Sequence, residues 1–191
     1  VAEEAFRTGA HSSAFDAWHR ATELASTDAR ADEYEIRAAE AALWAGNNAP
    51  ARDIISRRPP LESTDTALVG LAAALEARAG QADSAYALFV RAGTLLEGLD
   101  PDGAARAFLD AARLRLRTGH VAAASGALER LTALHKRVSD PALLQQTEVV
   151  LAVVDTMTGV PVDRLRAACA ALVPAQGALV GDLVFLADTV A

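Results

Sequence analysis

The apolar residues of this chain are patterned at helical spacing, and Val and Ile do not fall in the alternating runs of a strand. Two stretches show the pattern best: "EARAGQADSAYALFVRAGTL", Glu76 to Leu95, and "RLRTGHVAAASGALERLTAL", Arg115 to Leu134. In each, a Gly ends one apolar-patterned segment and an Ala follows five residues later. Helices are predicted at 12–26, 31–45, 49–57, 64–79, 82–97, 102–118, 121–137, 141–158, 161–173 and 177–190. Breaks fall at Asn47-Asn48, Pro59-Pro60, Gly98, Asp100-Pro101 and Asp140-Pro141. Polar residues before helices (Thr27-Asp28, Ser63-Thr64-Asp65, Asp100, Ser139-Asp140) are expected N-caps, their oxygens accepting from otherwise unpaired amides.

The pattern repeats. Gly9, Gly46, Gly80, Gly119 and Gly159 each follow a helical segment, at spacings of 37, 34, 39 and 40. Aligned on these glycines, small residues stand five after (Ala14, Ala51, Ala85, Ala124) and seven before (Ala39, Ala73, Ala112, Ala152). In the last unit Arg164 and Pro174 depart from the pattern. Nine after stand Trp18, Ile55, Phe89 and Leu128, large residues, and in the last unit Ala168; Leu stands fifteen after (Leu24, Leu61, Leu95, Leu134). A glycine can take the left-handed conformation that turns the chain back after a helix. Small residues on either side let two antiparallel helices approach closely. A helical hairpin cannot bury its apolar face alone, so successive hairpins are expected to stack.

These columns resemble the tetratricopeptide (TPR) repeat, with further small residues at Ala21 and Ala92, broken by Arg58 and Leu131. The period mostly exceeds that of a strict TPR, and Pro101 and Pro141 read as starters of the next hairpin. The resemblance implies an all-α fold: a right-handed α-α superhelix, a solenoid of about four to five hairpins. Residues 1–191 are expected to form one such domain, a piece of a longer protein. An irregular helical bundle rich in alanine is the alternative.

Composition agrees with helices. Alanine makes up about a quarter of the chain, Lys136 is the one lysine, and aromatics are only 5%. Ala, Leu, Arg and Glu lose little side-chain freedom in a helix. A net charge of −7 argues against a general nucleic-acid surface, which needs a basic field. The lone Cys169 suits a reducing compartment. No stretch reaches the roughly 18–20 uncharged apolar residues of a membrane span. No signal-peptide pattern opens the chain. A cytoplasmic location is expected, with no membrane contact.

Motifs for chemistry are missing. There is no Gly-rich phosphate loop, no H-E-x-x-H, no paired Cys and no nucleophile elbow. His11 and His19 could share a helix face if that helix begins early, but solvated or capping histidines are expected there rather than a metal site. Cys169, in "RAACAAL", is expected to be a small core residue. No catalytic residue, cofactor or metal is therefore expected, and the chain does not read as an enzyme.

In the TPR register, the groove is lined by residues 13, 10, 6, 3 and 2 before each Gly. The candidate binding residues are Glu40, Trp44, Arg78, Arg106, Arg113 and Arg117. Arg78 and the Arg106–Arg113–Arg117 stripe could grip a carboxylate, a phosphate or an acidic peptide, with Trp44 stacking on a ring or apolar group. The competing reading is a solvated face paired with Glu33, Glu40 or Asp110.

The wording "AAEAALWAGNNAPARDII", "LEARAGQADSAYALFVRAGTLL" and "LDAARLRLRTGHVAAASGALERL" resembles the helical-repeat arm of large LuxR-type ATPase regulators of high-GC, actinobacterial type, an architecture shared with the maltose-regulon activator. That resemblance implies a sensory arm in transcription regulation. The arm would bind a small-molecule effector or a protein or peptide partner in its concave groove and bias an ATPase between states. DNA contact and ATP hydrolysis would belong to other parts of the protein. A free-standing TPR scaffold for protein assembly is the alternative, and a helical domain that completes an enzyme site with another domain is a third. Residues 176–190, with Leu179, Leu183, Val184, Leu186 and Val190, read as an unmated helix. Packing on a second copy, or on a next repeat, is expected there.

Overall fold

The structure, a computed structural model, describes residues 1–25 and 30–170. Among them are ten α-helices and no strand: α1 (Ala2–Arg7), α2 (His11–Leu24), α3 (Ala31–Trp44), α4 (Ala49–Arg57), α5 (Thr66–Arg78), α6 (Ala82–Leu96), α7 (Pro101–Arg117), α8 (Ser125–Leu134), α9 (Pro141–Met157) and α10 (Asp163–Ala170). Short 3₁₀ turns, Val121–Ala124 and His135–Arg137, flank α8. The expected cap at Thr27-Asp28 and the expected helix at 177–190 lie outside the described residues.

Among the described residues, the five repeat glycines are those with positive φ, from +74° at Gly119 to +97° at Gly159. Each closes its helix in the same way. At α3, the Gly46 amide donates to the Leu43 carbonyl at 3.0 Å and the Asn47 amide to the Ala42 carbonyl at 2.8 Å. The same pair of bonds recurs after α1 (Gly9 to Phe6, Ala10 to Ala5), α5 (Gly80 to Ala77, Gln81 to Glu76), α7 (Gly119 to Leu116, His120 to Arg115) and α9 (Gly159 to Thr156, Val160 to Asp155). This is the Schellman arrangement, which satisfies the last carbonyls of a helix while reversing the chain.

The alanine columns then do what close packing requires. Ala39, Ala73, Ala112 and Ala152 before the turns, and Ala14, Ala51, Ala85 and Ala124 after them, have no exposed surface. With only a methyl group at these places the two backbones of a hairpin come near, and larger neighbours close over them. Ala39 and Ala51 share a core with Ile36, Leu43, Ile54, Leu68, Leu71 and Leu75.

The chain divides into two compact units, Val1–Ala92 and the residues from Gly93 onward. In the first, α1 packs on α2 and α3 on α4, α2 also lies along α3, and α5 packs on both α3 and α4. In the second, α7 packs on α8 and α9 on α10, and α7 also packs on α9. The core of the second unit holds Phe108, Leu109, Leu131, Leu134, Val149 and Val150.

Three expected caps are in place. The Asp65 carboxylate accepts from the Ala67 and Leu68 amides, Asp100 from the Gly103 amide, and Asp140 from the Ala142 and Leu143 amides. Pro101 and Pro141 begin α7 and α9, where a missing N–H costs nothing. Ser139 has a different role. Its amide and hydroxyl both donate to the Asp102 carboxylate, at 2.8 and 2.6 Å, which fixes the entry to α9 against the start of α7.

Other expectations need correction. α1 falls in a segment given no helix. It is six residues long, has no side-chain cap, and carries an Arg7–Glu4 ion pair at 2.6 Å. The expected helix 121–137 is three pieces, because no side chain caps its start and Gly126 weakens its first turn. The Leu column is not a core column. Leu134 is buried, but Leu24 and Leu61 are 80% and 69% exposed. Leu24 is the last residue of α2, and Leu61 lies past the end of α4, beyond Pro59-Pro60. The nine-after residues Trp18, Ile55 and Phe89 are only half-buried. Deep burial falls one residue earlier, at Ile54, Leu88 and Ala127. Arg58, which interrupts a small column, reaches from the end of α4 to Asp32 and Glu35 of α3 at 3.0 and 2.5 Å.

Candidate functional site

The five turns present one residue at a fixed place. Two positions before each turn glycine stand Arg7, Trp44, Arg78, Arg117 and Met157, and all are exposed. Three predicted binding residues, Trp44, Arg78 and Arg117, belong to this row. The register is not surface throughout. Ile36, Leu109 and Val149, ten before their glycines, and Leu43 and Leu116, three before, are buried and belong to the cores.

In the first unit, Glu40 and Trp44 lie one turn apart on α3, on the same face. Trp44 is 53% exposed. Its ring lies 6.1 Å from that of His11, at the start of α2, and His11 meets Phe6 of α1 edge-on at 5.2 Å. Burial pushes the Glu40 carboxyl above its ordinary range; Arg37, 3.4 Å away, opposes this, and the like charge of Glu3 adds to it. Arg78 is exposed in the last turn of α5, where a cation also suits the helix dipole.

In the second unit, Arg106, Arg113 and Arg117 lie along α7 as predicted, and two of them have protein partners. Arg106 pairs with Asp140 at 3.2 Å. Arg113 donates to the Gln146 amide oxygen at 3.0 Å and lies 3.6 Å from Asp110. Asp110 sits within the stripe and is 42% exposed. Protein packed around it raises its carboxyl above the ordinary range, against the opposing charges of Arg113, Arg106 and Arg117. Arg117 is exposed in the last turn of α7. The stripe therefore partly ties α7 to α9 through Asp140 and Gln146.

A further aromatic group lies between α2 and α3 in the first unit. Phe15 stacks on His19, and Trp18 on Tyr34, with the Arg30 guanidinium 5.7 Å over the Tyr34 ring. A cleft of about 190 Å³ opens beside Phe15 and His19, floored by Ala38, Ala39 and Ile54. Glu35 and Asp53 at its rim are both engaged by Arg57, at 2.7 and 2.9 Å.

The single cysteine departs from expectation. Cys169 is exposed, because α10 buries Leu165 alone among its residues. His11 and His19 do share α2, which begins at His11. Among the described residues no group of three or more His, Cys, Asp and Glu is placed to hold a metal ion. None of the described helices is long and apolar enough to cross a membrane.

Sequence reasoning missed His11 as the ring beside Trp44 and Phe6 as the ring beside His11, and Asp140 and Gln146 as partners of the arginines. The turn register could have found the first pair: Phe6 stands three before Gly9, His11 two after it, and Trp44 two before Gly46. No protein family, curated protein or solved structure matches this chain.

Proposed function

We propose that this chain is the sensory arm of a LuxR-type ATPase transcription regulator. In this reading the hairpins continue into a right-handed TPR-like superhelix. An effector or partner protein binds across the first-helix faces, and binding biases an attached ATPase between two states. The observation that carries the reading is the recurrence of one glycine turn five times, each followed or preceded by a fully buried alanine, with an outward residue always two before the turn. A row of equivalent outward positions is what an extended binding face needs. The sequence resemblance supplies the regulator.

The test has two parts. Sequencing the flanking coding region is expected to find a phosphate-binding loop upstream and a helix-turn-helix downstream. Calorimetry of the chain against anionic metabolites, sugars and nucleotides is expected to find a ligand that also alters ATP hydrolysis in the intact protein. A gene with neither module would overturn the regulator reading. A scaffold for protein assembly is the second reading, and one observation favours it. Arg106 and Arg113 are engaged by Asp140, Asp110 and Gln146, which leaves the α7 face better suited to a broad protein contact than to a small anion.

A further inference from the structure

The first unit holds a recess that its own side chains leave unfilled. α2 and α4 both pack beside α3, and the cleft of about 190 Å³ is lined by all three helices. Its floor is made of methyl groups, because Ala38 and Ala39 of α3 are both buried there. Two methyl groups fill less space than the residues around them. A hollow remains, with Pro50 and Ile54 of α4 and Phe15 and His19 of α2 among its walls. The Phe15 and His19 rings stack 5.5 Å apart, 13° from parallel, and give a third ring an aromatic neighbour.

Size and polarity narrow the occupant. An apolar cavity of about 150 Å³ takes benzene, whereas drug-sized ligands need roughly 300–1,000 Å³. The cleft therefore suits one ring or two fused rings. Among the described residues that line it there is no Arg or Lys to hold an anion. A cation finds the carboxylates already answered. Glu35 takes Arg57 on one oxygen at 2.7 Å and Arg58 on the other at 2.5 Å, and Oδ2 of Asp53 takes Arg57 at 2.9 Å. What the rim still presents is acceptors. Thr22 uses its hydroxyl hydrogen on the Trp18 carbonyl at 3.1 Å, and Oδ1 of Asp53 meets no donor among the described residues. A neutral ring bearing an N–H or O–H buries its carbon surface on the floor and donates at the rim.

We infer that the α2–α4 cleft binds a free, neutral aromatic molecule of indole size that donates its ring N–H or O–H to Asp53. The site lies between the second helices of two hairpins, apart from the first-helix face of the sensing reading, and does not depend on that reading.

Amide NMR spectra of the whole chain test this with indole and with benzofuran, which matches indole in shape but lacks the N–H. Indole is expected to shift the Phe15, His19, Ala38 and Asp53 amides saturably. Benzofuran is expected to bind about fivefold more weakly, the size of one hydrogen bond. In Asp53→Ala the indole affinity should fall to that of benzofuran, with benzofuran itself unchanged. Asp53 is exposed, so this change spares the core, and circular dichroism checks the fold. Ala38→Leu fills the hollow and should abolish both sets of shifts. Equal affinities for indole and benzofuran in the wild-type chain overturn the proposal, as does an unaltered ratio in Asp53→Ala. Tighter binding of N-acetyl-tryptophanamide than of indole assigns the cleft to a partner's side chain and also overturns it. If Ala38→Leu does not fold, the Asp53→Ala ratio decides alone. Failure of these tests leaves the sensing reading standing, because that reading uses another face.

Discussion

Replacing Gly46 and Gly93 by alanine separates two reasons for a glycine. Gly46 has φ of +92° and nothing within 4 Å of an added Cβ. Gly46→Ala is therefore expected to cost about 1–2 kcal/mol from backbone conformation alone. Gly93 has ordinary φ, but an added Cβ falls 2.8 Å from the ring of the fully buried Phe108. Gly93→Ala is expected to cost about 1–3 kcal/mol through overpacking, and Phe108→Leu should recover part of it. Urea denaturation of the two single variants and the double variant checks this, and rescue of Gly46→Ala by trimming a neighbour would contradict it. Asp110 gives a pH prediction. The protein packed around it holds its folded-state carboxyl above the ordinary 3.8, against the opposing charges of Arg113, Arg106 and Arg117. The stability it contributes is then complete at low pH and is lost as pH rises through the raised value. Asp110→Asn keeps the position neutral, so its melting temperature relative to wild type should increase as pH rises above the ordinary carboxylate value. A constant difference would show that Asp110 does not titrate in this way. At this scale the turn glycines were legible in the sequence, because positive φ leaves a local signature at fixed spacing. The partners of Arg106 and Arg113 were not, because Asp140 and Gln146 are more than thirty positions away and only packing brings them near.

Helices were legible where the chain punctuates itself. Asp65, Asp100 and Asp140 were found as caps, and α3 to α7 and α9 begin and end within two residues of their expected bounds. The failures share a cause. α1 is too short to show a period, and the segment around α8 has a helical pattern but no side-chain cap at His120. The depth of a residue was harder still: Leu24 and Leu61 match a column by count, yet one is a terminal residue of its helix and the other follows it. Asp102 is the element-scale feature that no pattern announced. Two hydrogen bonds from Ser139 hold its carboxyl below 3.8, so its contribution is present at neutral pH and is lost as pH falls through the lowered value. Asp102→Asn is expected to lower the melting temperature at pH 7 and to flatten the loss on the acid side. Equal melting temperatures for variant and wild type at pH 7 would show that this link between α7 and α9 contributes nothing.

For the chain as a whole, the exposed position two before each turn glycine recurs in both units. Arg78 and Arg117 close their helices with exposed cations, so their replacement by alanine should change stability by no more than about 1 kcal/mol. If the first-helix faces bind an anionic effector or an acidic partner, the same two changes should weaken that binding at least several-fold, as isothermal titration would show. Unchanged affinity would remove both residues from the site. The candidate site was half legible: counting from the glycines found Trp44, Arg78 and Arg117 on the surface, but the same count placed Leu43 and Leu116 there, and they are buried. A linear register cannot tell which side of a helix meets its neighbour. Because all five joints are built alike, they are also interchangeable. Excising residues 47–80 would bring Gln81 directly after Gly46, and the Gln81 amide, which now meets Glu76, would face the Ala42 carbonyl that Asn47 now satisfies. A chain shortened by one such module should keep its helicity per residue. Under the proposed stacking, length is then free to change one hairpin at a time without any turn being redesigned.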